Sequence, residues 1–240
     1  MSKALLIARR EMGAYARSPL GAVIVAGALL IDGILFYYWG LSQKMLSAEV
    51  LSEFFYAASG ITMAASLILS MRLIAEERQT NTFTLLNTAP IHDWEIVLGK
   101  YLSALGMITL LTLLTLYMPA LIFVNGKVSF GHIAVGYAGL LLVGSATIAI
   151  GLFASALTRS QVVAAIVGTA ILAALILLWM LASAVEPPLN EFLSAMAFHH
   201  QNFMPFQKGI LELKGVAYYL VVTYFFLLSA TKILEARRWR

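Results

Sequence analysis

The chain has 240 residues, of which 61% are hydrophobic and only 12% charged, with a net charge of +4 and no cysteine. A soluble domain is about half apolar and a quarter charged, so this composition excludes an ordinary soluble protein and favours lipid as the surrounding solvent. The lack of cysteine excludes disulfides, thiolate metal sites and thiol nucleophiles, and nothing in the composition predicts a nucleic-acid partner.

The N-terminal segment 3–17 predicts a helix that ends at Ser18-Pro19, because the residue before proline disfavours the α region. One face of this helix is apolar, and it consists of Leu5, Ala8, Met12, Tyr15 and Ala16. Two interpretations are open: an interfacial elbow helix whose basic groups lie near anionic headgroups, or an ordinary basic flank of the first span. The abrupt break favours the elbow helix.

Six apolar stretches follow, each near the ~20 residues with which a helix crosses a ~30 Å hydrocarbon core. They are residues 19–41, 54–71, 101–124, 133–156, 160–185 and 215–231. Lipid cannot satisfy exposed backbone groups, so each stretch is predicted to be helical. The sequence therefore predicts an all-α polytopic membrane protein with six transmembrane helices in a single domain, residues 1–240.

The distribution of basic residues predicts the orientation. With both termini inside, most of the 16 Lys and Arg residues lie in inner segments. Only Lys44, Lys127, Lys208 and Lys214 then lie outside. The positive-inside bias therefore predicts cytoplasmic termini.

The inner segment 73–98, between the second and third spans, is long and charged. Phe83, Leu86 and Ile91 form a short apolar edge within this polar stretch. Docking on a cytosolic partner would bury that edge, and so would packing on the chain's own helices. The residues alone do not decide between the two.

Asp32 is the one acidic residue inside an apolar stretch. A carboxylate there costs ~2.5–3.5 kcal/mol on insertion scales, so it should face protein or water, or carry a proton. Ser59, Thr62 and Ser66 are expected at a similar depth and would be able to bond it. A structural role and a role in a substrate path or subunit interface are both open.

The external segment 186–214 begins with Pro187-Pro188 and is apolar enough to dip into the outer interface. It contains His199 and His200 between Met196 and Met204, residue types that bind copper. Adjacent histidines on a helix point about 100° apart, however, so an aromatic gate or partner surface is preferred and no metal site is predicted.

Catalytic and nucleotide-binding motifs are absent from the sequence. There is no G-x-x-x-x-G-K-[ST] phosphate loop, since Gly99-Lys100 and Gly126-Lys127 lack both the upstream glycine and the following hydroxyl. H-E-x-x-H and G-x-S-x-G are absent too. The chain is therefore predicted to have no catalytic site and no cofactor, and any ATP-driven work requires a partner chain.

Three regions together resemble the ABC-2-type permease family, especially its gliding-motility-type branch. The inner segment matches at Glu77-Arg78, Thr82, Leu85-Leu86, Pro90 and Gly99-Lys100, and departs at Asn81 and Thr84, where the family has glycine and glutamate. The N-terminus matches at Arg10-Glu11, Tyr15 and Ser18-Pro19. The C-terminal part matches at Phe206, Lys208-Gly209, Leu213, Tyr218-Tyr219 and Arg237-Arg238-Trp239.

The resemblance implies a half-transporter in a bacterial inner membrane. Two permease subunits, identical or related, would form the pathway, and two cytosolic ATPase subunits would bind ATP and drive it, with export favoured over import. The implied ATPase-coupling residues are Glu76, Glu77, Arg78, Thr82, Phe83, Leu85, Leu86 and Pro90. The external segment would form a gate that includes Phe198, Phe203 and Phe206, with room for an extracytoplasmic auxiliary subunit.

Small residues in the fourth and fifth stretches allow close helix approach. Packing within the chain explains them in the fourth, whereas the resemblance places the first and fifth stretches at the subunit interface and suggests Ala164 and Gly168 there. Two rival functions stay open: an ABC-type complex with a mechanical or regulatory role, and a gradient-driven secondary transporter that would use Asp32.

Overall fold

The computed structural model describes residues 3–41, 46–80, 91–125 and 128–238, and within these ranges it contains helices and no strand. The helices are α1 (Lys3–Arg17), α2 (Pro19–Leu35, followed by a π-helical turn Phe36–Leu41), α3 (Ser47–Met71), α4 (Ala75–Gln79), α5 (Asp93–Leu114), α6 (Tyr117–Asn125), α7 (Phe130–Leu157), α8 (Gln161–Ser183), α9 (Leu189–Met196), α10 (His200–Gln207) and α11 (Leu213–Arg238).

Six helical segments in the described ranges are long and apolar enough to cross a membrane. They are Gly21–Tyr38, Ser47–Gln79, Asp93–Phe123, Phe130–Leu157, Gln161–Ser183 and Leu213–Arg237. This confirms the prediction of an all-α polytopic membrane protein. The second and third segments begin earlier than the apolar stretches do, at Ser47 and Asp93, because the helices continue through polar residues outside the hydrocarbon core.

The junction between α1 and α2 follows from its local sequence. Ser18 has an extended backbone and its hydroxyl accepts a hydrogen bond from the Gly21 amide at 3.4 Å, while Pro19 occupies the first turn of α2. A serine cap followed by proline is a common way to begin a helix, since proline lacks an amide that would need a partner there. The chain therefore turns from α1 into the first span at one residue.

Pro119 explains why the third span is divided into α5 and α6. Proline has no amide hydrogen, and its ring clashes with the carbonyl four residues earlier, which here belongs to Thr115. The helix ends at Leu114 and resumes at Tyr117. The Thr115 hydroxyl donates to the Thr112 carbonyl at 2.8 Å and lies 3.1 Å from the Tyr137 hydroxyl, so the polar groups at the break are engaged within the bundle.

Helix α7 is the central helix of the bundle and packs against α3, α5, α8, α10 and α11. Small residues bring its backbone close to these neighbours: a Cβ at Gly151 would overlap the Ser70 side chain of α3, and one at Gly139 would lie 2.6 Å from Phe206 Cβ of α10. The core around α7 has two clusters, one towards the α1 end of the bundle and one towards the α10 end. By contrast, α2, α8 and α11 bury only a minor part of their surface within the chain.

Candidate functional site at the α1 end of the bundle

The predicted coupling segment is described only in part. Glu76, Glu77 and Arg78 lie on α4, which follows a turn after α3. The other predicted coupling residues lie outside the described residues, and they are Thr82, Phe83, Leu85, Leu86 and Pro90. The geometry of the site is therefore that of α4 and the helices around it.

A network of four charged side chains joins α1, α4 and α5. Lys100 of α5 is only 1% exposed, and its Nζ lies 2.8 Å from Glu77 Oε1 and 3.8 Å from Glu11 Oε1. Arg10 reaches the same two carboxylates, at 2.7 Å from Glu11 and 3.5 Å from Glu77. We call these four residues the Lys100 network. Two cations and two anions balance, which offsets the cost of burying the ammonium group.

The charges of the Lys100 network also shift the pKa of Arg10, which is the most exposed of the four residues. The hydrogen bond between Arg10 and Glu11, with Glu77 close by, raises the pKa of Arg10 above its usual value. Arg10 therefore stays protonated and completes the charge balance. Both acids of α4 are therefore paired within the chain, Glu77 with Lys100 and Glu76 with Arg72.

Helix α1 reaches this network because Gly99 lets it lie directly on α5. A Cβ at Gly99 would lie 2.7 Å from the Ala4 carbonyl oxygen and 2.8 Å from Ile7 Cβ. The buried face of α1 is therefore Ala4, Ile7, Ala8 and Tyr15, whereas Leu5, predicted on the apolar face, is 48% exposed. Helix α1 thus has one apolar side against α5 and a second, which includes Leu5, that faces outward.

Tyr15 and Arg72 connect α1 to the end of α3. The Tyr15 hydroxyl donates to the Leu69 carbonyl at 3.1 Å, and the Arg72 guanidinium lies 5.2 Å from the centre of the Tyr15 ring, a cation–π distance. Arg72 also forms a two-point pair with Glu76, at 2.7 and 3.2 Å. Burial raises the pKa of Tyr15 above its usual value although Arg72 opposes this, so the phenol stays neutral.

A polar cavity of about 230 Å³ lies among these groups. It is lined by Glu11, Ala14, Tyr15, Arg72, Leu73, Glu76, Glu77, Thr80 and Lys100. The cavity adjoins α4, the element that leads into the predicted coupling segment. Both acidic and basic side chains line the cavity, so it is better suited to hold water than a ligand of a single charge.

Two contacts fix α4 to the end of the central helix α7. The Ser155 hydroxyl donates to the Met71 carbonyl at 2.8 Å and accepts from the amides of Ile74 at 3.0 Å and Ala75 at 2.9 Å. Arg78 donates from Nη1 to the Ala156 carbonyl at 2.6 Å. The first amides and the last carbonyls of a helix have no partner within that helix. Here the Ser155 side chain of α7 accepts from amides at the start of α4, and the Arg78 side chain of α4 donates to a carbonyl near the end of α7. A displacement of α4 must therefore act on α7.

The predicted gate phenylalanines lie at the opposite end of the bundle and are fully buried. Phe198, Phe203 and Phe206 belong to the core cluster around α7 and α11, and the Tyr219 hydroxyl donates to the Phe198 carbonyl at 2.8 Å. Helices α9 and α10 are therefore held to the bundle by these rings. The external segment folds back as two short helices rather than as one.

The two histidines of this segment contact different helices. His199 Nε2 lies 2.7 Å from the Ser59 hydroxyl of α3, and its ring stacks on Phe203 at 5.0 Å. His200 instead stacks on Trp179 of α8 at 4.8 Å. Burial, with a contribution from His200, lowers the pKa of His199 to about 4. The two rings are therefore held against different helices. Among the described residues, no group of three His, Cys, Asp or Glu side chains is placed to hold a metal ion.

Asp32 is buried in the bundle, with 3% of its surface exposed. Its Oδ1 has no hydrogen-bond partner within the described part of the chain, and neither does the Ser66 hydroxyl. The Ser59 hydroxyl, expected to bond Asp32, has other partners. It donates to the Tyr56 carbonyl at 2.7 Å and contacts His199. Asp32 therefore lies inside the protein, and neither Ser59 nor Ser66 forms a hydrogen bond to it within the described residues.

Ala164 and Gly168 lie within the protomer and not on a free face. Ala164 is 1% exposed, and a Cβ at Gly168 would lie 3.0 Å from Leu67 and 3.5 Å from Ala154. They are thus occupied by the packing of α8 on α3 and α7, which corrects their assignment to a subunit interface. The opposite face of α8 carries exposed Val162 and Ile166.

Several residues of this site were missed from the sequence as functional groups. Lys100 is part of the Gly99-Lys100 match before the third span but had no predicted partner, and Ser155, in the fourth stretch, was not singled out. The available signal was the run Ile96–Gly99, which is apolar on the other side of the lysine and indicates a buried charge. A buried lysine requires acidic partners, and the chain has only 12 acidic residues to supply them, among them Glu11 and Glu77.

Comparison with known families gives one match. A family model described as "ABC-2 family transporter protein" matches residues 10–230, which covers nearly all of the chain. The search of curated proteins found no match. The matched region begins at Arg10 and includes all four residues of the Lys100 network.

Proposed function

Because the chain belongs to the ABC-2 transporter family, as a membrane permease component, we propose that it is the membrane-spanning subunit of an ATP-driven exporter. Family membership implies partnership with ABC ATPase subunits. In this proposal two such subunits bind ATP in the cytosol and push on the segment that follows α4. The gliding-motility-type branch and the orientation with cytoplasmic termini stay predictions.

The proposal is supported above all by the attachment of α4. Glu77 joins α4 to the buried Lys100 of α5 and to Arg10 of α1, while Arg78 and Ser155 join it to the end of α7. A force on the residues after α4 would therefore act on three helices at once. An isolated surface loop would move without moving the bundle.

The central helix would carry that motion to the other side. At ~1.5 Å per residue, the 28 residues of α7 extend ~42 Å, which is longer than a hydrocarbon core. Near its far end, Gly139 contacts Phe206 of α10. A tilt of α7 would therefore shift α9 and α10, the helices proposed to gate the exit.

The pathway in this proposal lies between two permease subunits, identical or related. The exposed faces of α2 and α8 are proposed to meet the second subunit, since both are apolar and little covered by the chain itself. Few charges lie within the spans, which favours an amphipathic or lipid-like cargo over an inorganic ion.

The test is a pull-down of the tagged full chain from its native membrane in mild detergent. The expected result is an ATPase subunit in stoichiometric amount, recognisable by its phosphate-binding loop. Phe83→Asp with Leu86→Asp should remove that subunit, because it places charge on the apolar edge of the coupling segment. The matched control is Phe192→Asp with Leu189→Asp, exposed residues at the far end of the bundle, which should leave the ATPase bound.

Full ATPase recovery with the Phe83/Leu86 variant would contradict the coupling assignment. Absence of any ATPase from the parent complex would contradict the ATP-driven function. Transport direction is measured in proteoliposomes that contain the complete complex, where ATP on the α1 side should drive cargo to the α10 side.

A further inference from the structure

Three arginines from three separate elements meet at the C-terminal end of α7. Arg78 of α4 donates to the Ala156 carbonyl at 2.6 Å, and Arg237 of α11 donates from Nη2 to the Leu157 carbonyl at 2.6 Å. Arg159 follows two residues after Leu157, in the turn to α8. Since Ala156 and Leu157 are consecutive, their carbonyls hold two guanidinium groups side by side. We call these residues the arginine cluster.

The positive charges of the arginine cluster repel one another. Arg159 and Arg237 are both close enough to act electrostatically on Arg78. The neighbouring carboxylates have other partners: Glu76 pairs with Arg72, Glu77 with Lys100, and Glu235 with Lys232 at 2.7 Å. Within the described residues, neither Arg159 nor Arg237 forms an ion pair. An anion from outside the chain would offset this repulsion.

Capping of α7 does not account for the whole arrangement. A guanidinium has five N–H donors, and Arg237 uses one of them on the Leu157 carbonyl. Arg159 makes no hydrogen bond within the described part of the chain, although it lies beside the same helix end. Two exposed, fork-shaped donors of this kind suit the oxygens of a phosphate, which guanidinium binds at two points.

The position of the arginine cluster at the end of the membrane spans indicates which kind of molecule would supply that phosphate. It lies where α7 and α11 end and α8 begins, which is the boundary between the spans and the water. Immediately on the membrane side are exposed apolar side chains, among them Leu157 and Val163. A ligand that places an anion on the arginines and an acyl chain along these residues would satisfy both surfaces.

We propose that Arg159 and Arg237, together with Arg78, form a binding site for the phosphate of an anionic phospholipid in the leaflet at the α1 end of the bundle. This inference requires only that the chain spans a membrane, and it does not depend on ATP coupling. A lipid bound there would contact α4, α7 and α11 at once. It would strengthen the connection of α4 to the central helix.

The experiment uses the full chain, purified in mild detergent, and adds phosphatidylglycerol or phosphatidylcholine. Phosphatidylglycerol should raise the midpoint of thermal unfolding in a saturable manner and stay bound in native mass spectrometry, whereas phosphatidylcholine should not. Arg159→Gln with Arg237→Gln should weaken the apparent affinity for phosphatidylglycerol about tenfold or more. Arg159→Gln alone should show a smaller loss and leaves every described hydrogen bond intact, so it controls for misfolding.

The matched control is Arg9→Gln with Arg17→Gln, which removes the same charge from exposed arginines of α1. Equal losses in both double variants would overturn the proposal, because they would indicate diffuse attraction. Equal protection by inorganic phosphate in phosphatidylcholine would also overturn it, in favour of a soluble anion. So would unchanged lipid binding together with loss of a co-purifying ATPase, which would identify the cluster as a protein docking surface.

Discussion

Lys100 has a position that a lysine seldom takes, fully buried at the start of a membrane span with two carboxylates around it. Its ammonium group is stabilised by Glu77 at 2.8 Å and Glu11 at 3.8 Å. Removal of one partner from a buried pair leaves an uncompensated charge, which costs more than the pair contributes in net terms. The residue is therefore sensitive to substitution even though it takes part in no chemistry.

Lys100→Met should lower the midpoint of thermal unfolding in detergent, by a destabilisation of up to about 3–5 kcal/mol. The remaining Arg10 limits the loss, since it lies 3.5 Å from Glu77. Addition of Glu77→Gln should restore part of the stability, because it removes the orphaned charge. The matched control Lys232→Met breaks an exposed pair with Glu235, for which about 0–1 kcal/mol is expected. Equal effects of both substitutions would contradict a buried network.

His199 makes the stability of the α10 end depend on pH. Burial lowers its pKa to about 4, so between pH 6.5 and pH 4 the unfolded chain takes up a proton that the folded chain does not. The contribution of His199 to the free energy of unfolding is therefore constant above pH 6.5. Between pH 6.5 and pH 4 it falls, by at most about 3 kcal/mol. The measurement is the unfolding midpoint against pH for the parent and His199→Gln.

The pH dependence of the unfolding midpoint should differ between the parent and His199→Gln only below pH 6.5, where the midpoint of the parent falls further. His92→Gln, an exposed histidine at the other end of the bundle, is the control and should follow the parent curve. A constant offset between parent and His199→Gln at every pH would show that His199 contributes through packing alone.

At the scale of the element, α1 lies on α5 through a glycine contact. Gly99→Ala should displace α1, because the added Cβ would meet the Ala4 carbonyl and Ile7 at under 3 Å. Overpacking of this kind costs about 1–3 kcal/mol. Limited trypsin digestion should then cut faster at Arg9 and Arg10. Gly27→Ala is the control, since its Cβ meets nothing within 4 Å, and unchanged digestion of Gly99→Ala would contradict the contact.

Which elements were predictable depends on the kind of signal each one gives. The six spans are long apolar runs, and α1 ends at a visible serine–proline cap, so both were expected from the sequence. The division of the third span was not predicted, although Pro119 causes it, because prolines occur within membrane helices without breaking them. Polar starts such as residues 47–53 of α3 were assigned to loops because they lie outside the apolar run.

The candidate site was less predictable than the spans. Glu77 and Arg78 were singled out, but the groups they contact lie far away in sequence and meet them only through packing. Glu77 pairs with Lys100 and Arg10, and Arg78 donates to the Ala156 carbonyl. The face of α8 was also undetermined, because a helix that is apolar all round does not reveal which side is buried. Ala164 and Gly168 were therefore chosen by size, and the packing against Leu67 assigns them to the interior.

At the scale of the whole molecule, the faces that the chain leaves uncovered should mark its partner. The sequence has no cysteine, so single cysteines can be introduced without background. Val162→Cys, on the exposed face of α8, should give a cross-linked dimer on oxidation in native membranes. Ala164→Cys, two residues away but buried, should not.

The cross-link is measured as a band of doubled mass on a non-reducing gel that disappears with reductant. A dimer from Ala164→Cys with none from Val162→Cys would reverse the assignment of the two faces. Loss of the Val162→Cys band when a related permease chain is co-expressed would instead identify a mixed pair.

The residues of the Lys100 network are synthesised in a fixed order, because a chain is made from its N-terminus. Glu11 and Glu77 leave the ribosome before Lys100, so during synthesis the two acids exist without the cation that later lies between them. The elbow helix can take its final place on Gly99 only after the third span has begun to enter the bilayer. Assembly of the α1 end must thus wait until the third span has been made, although the residues of α1 are among the first to be synthesised.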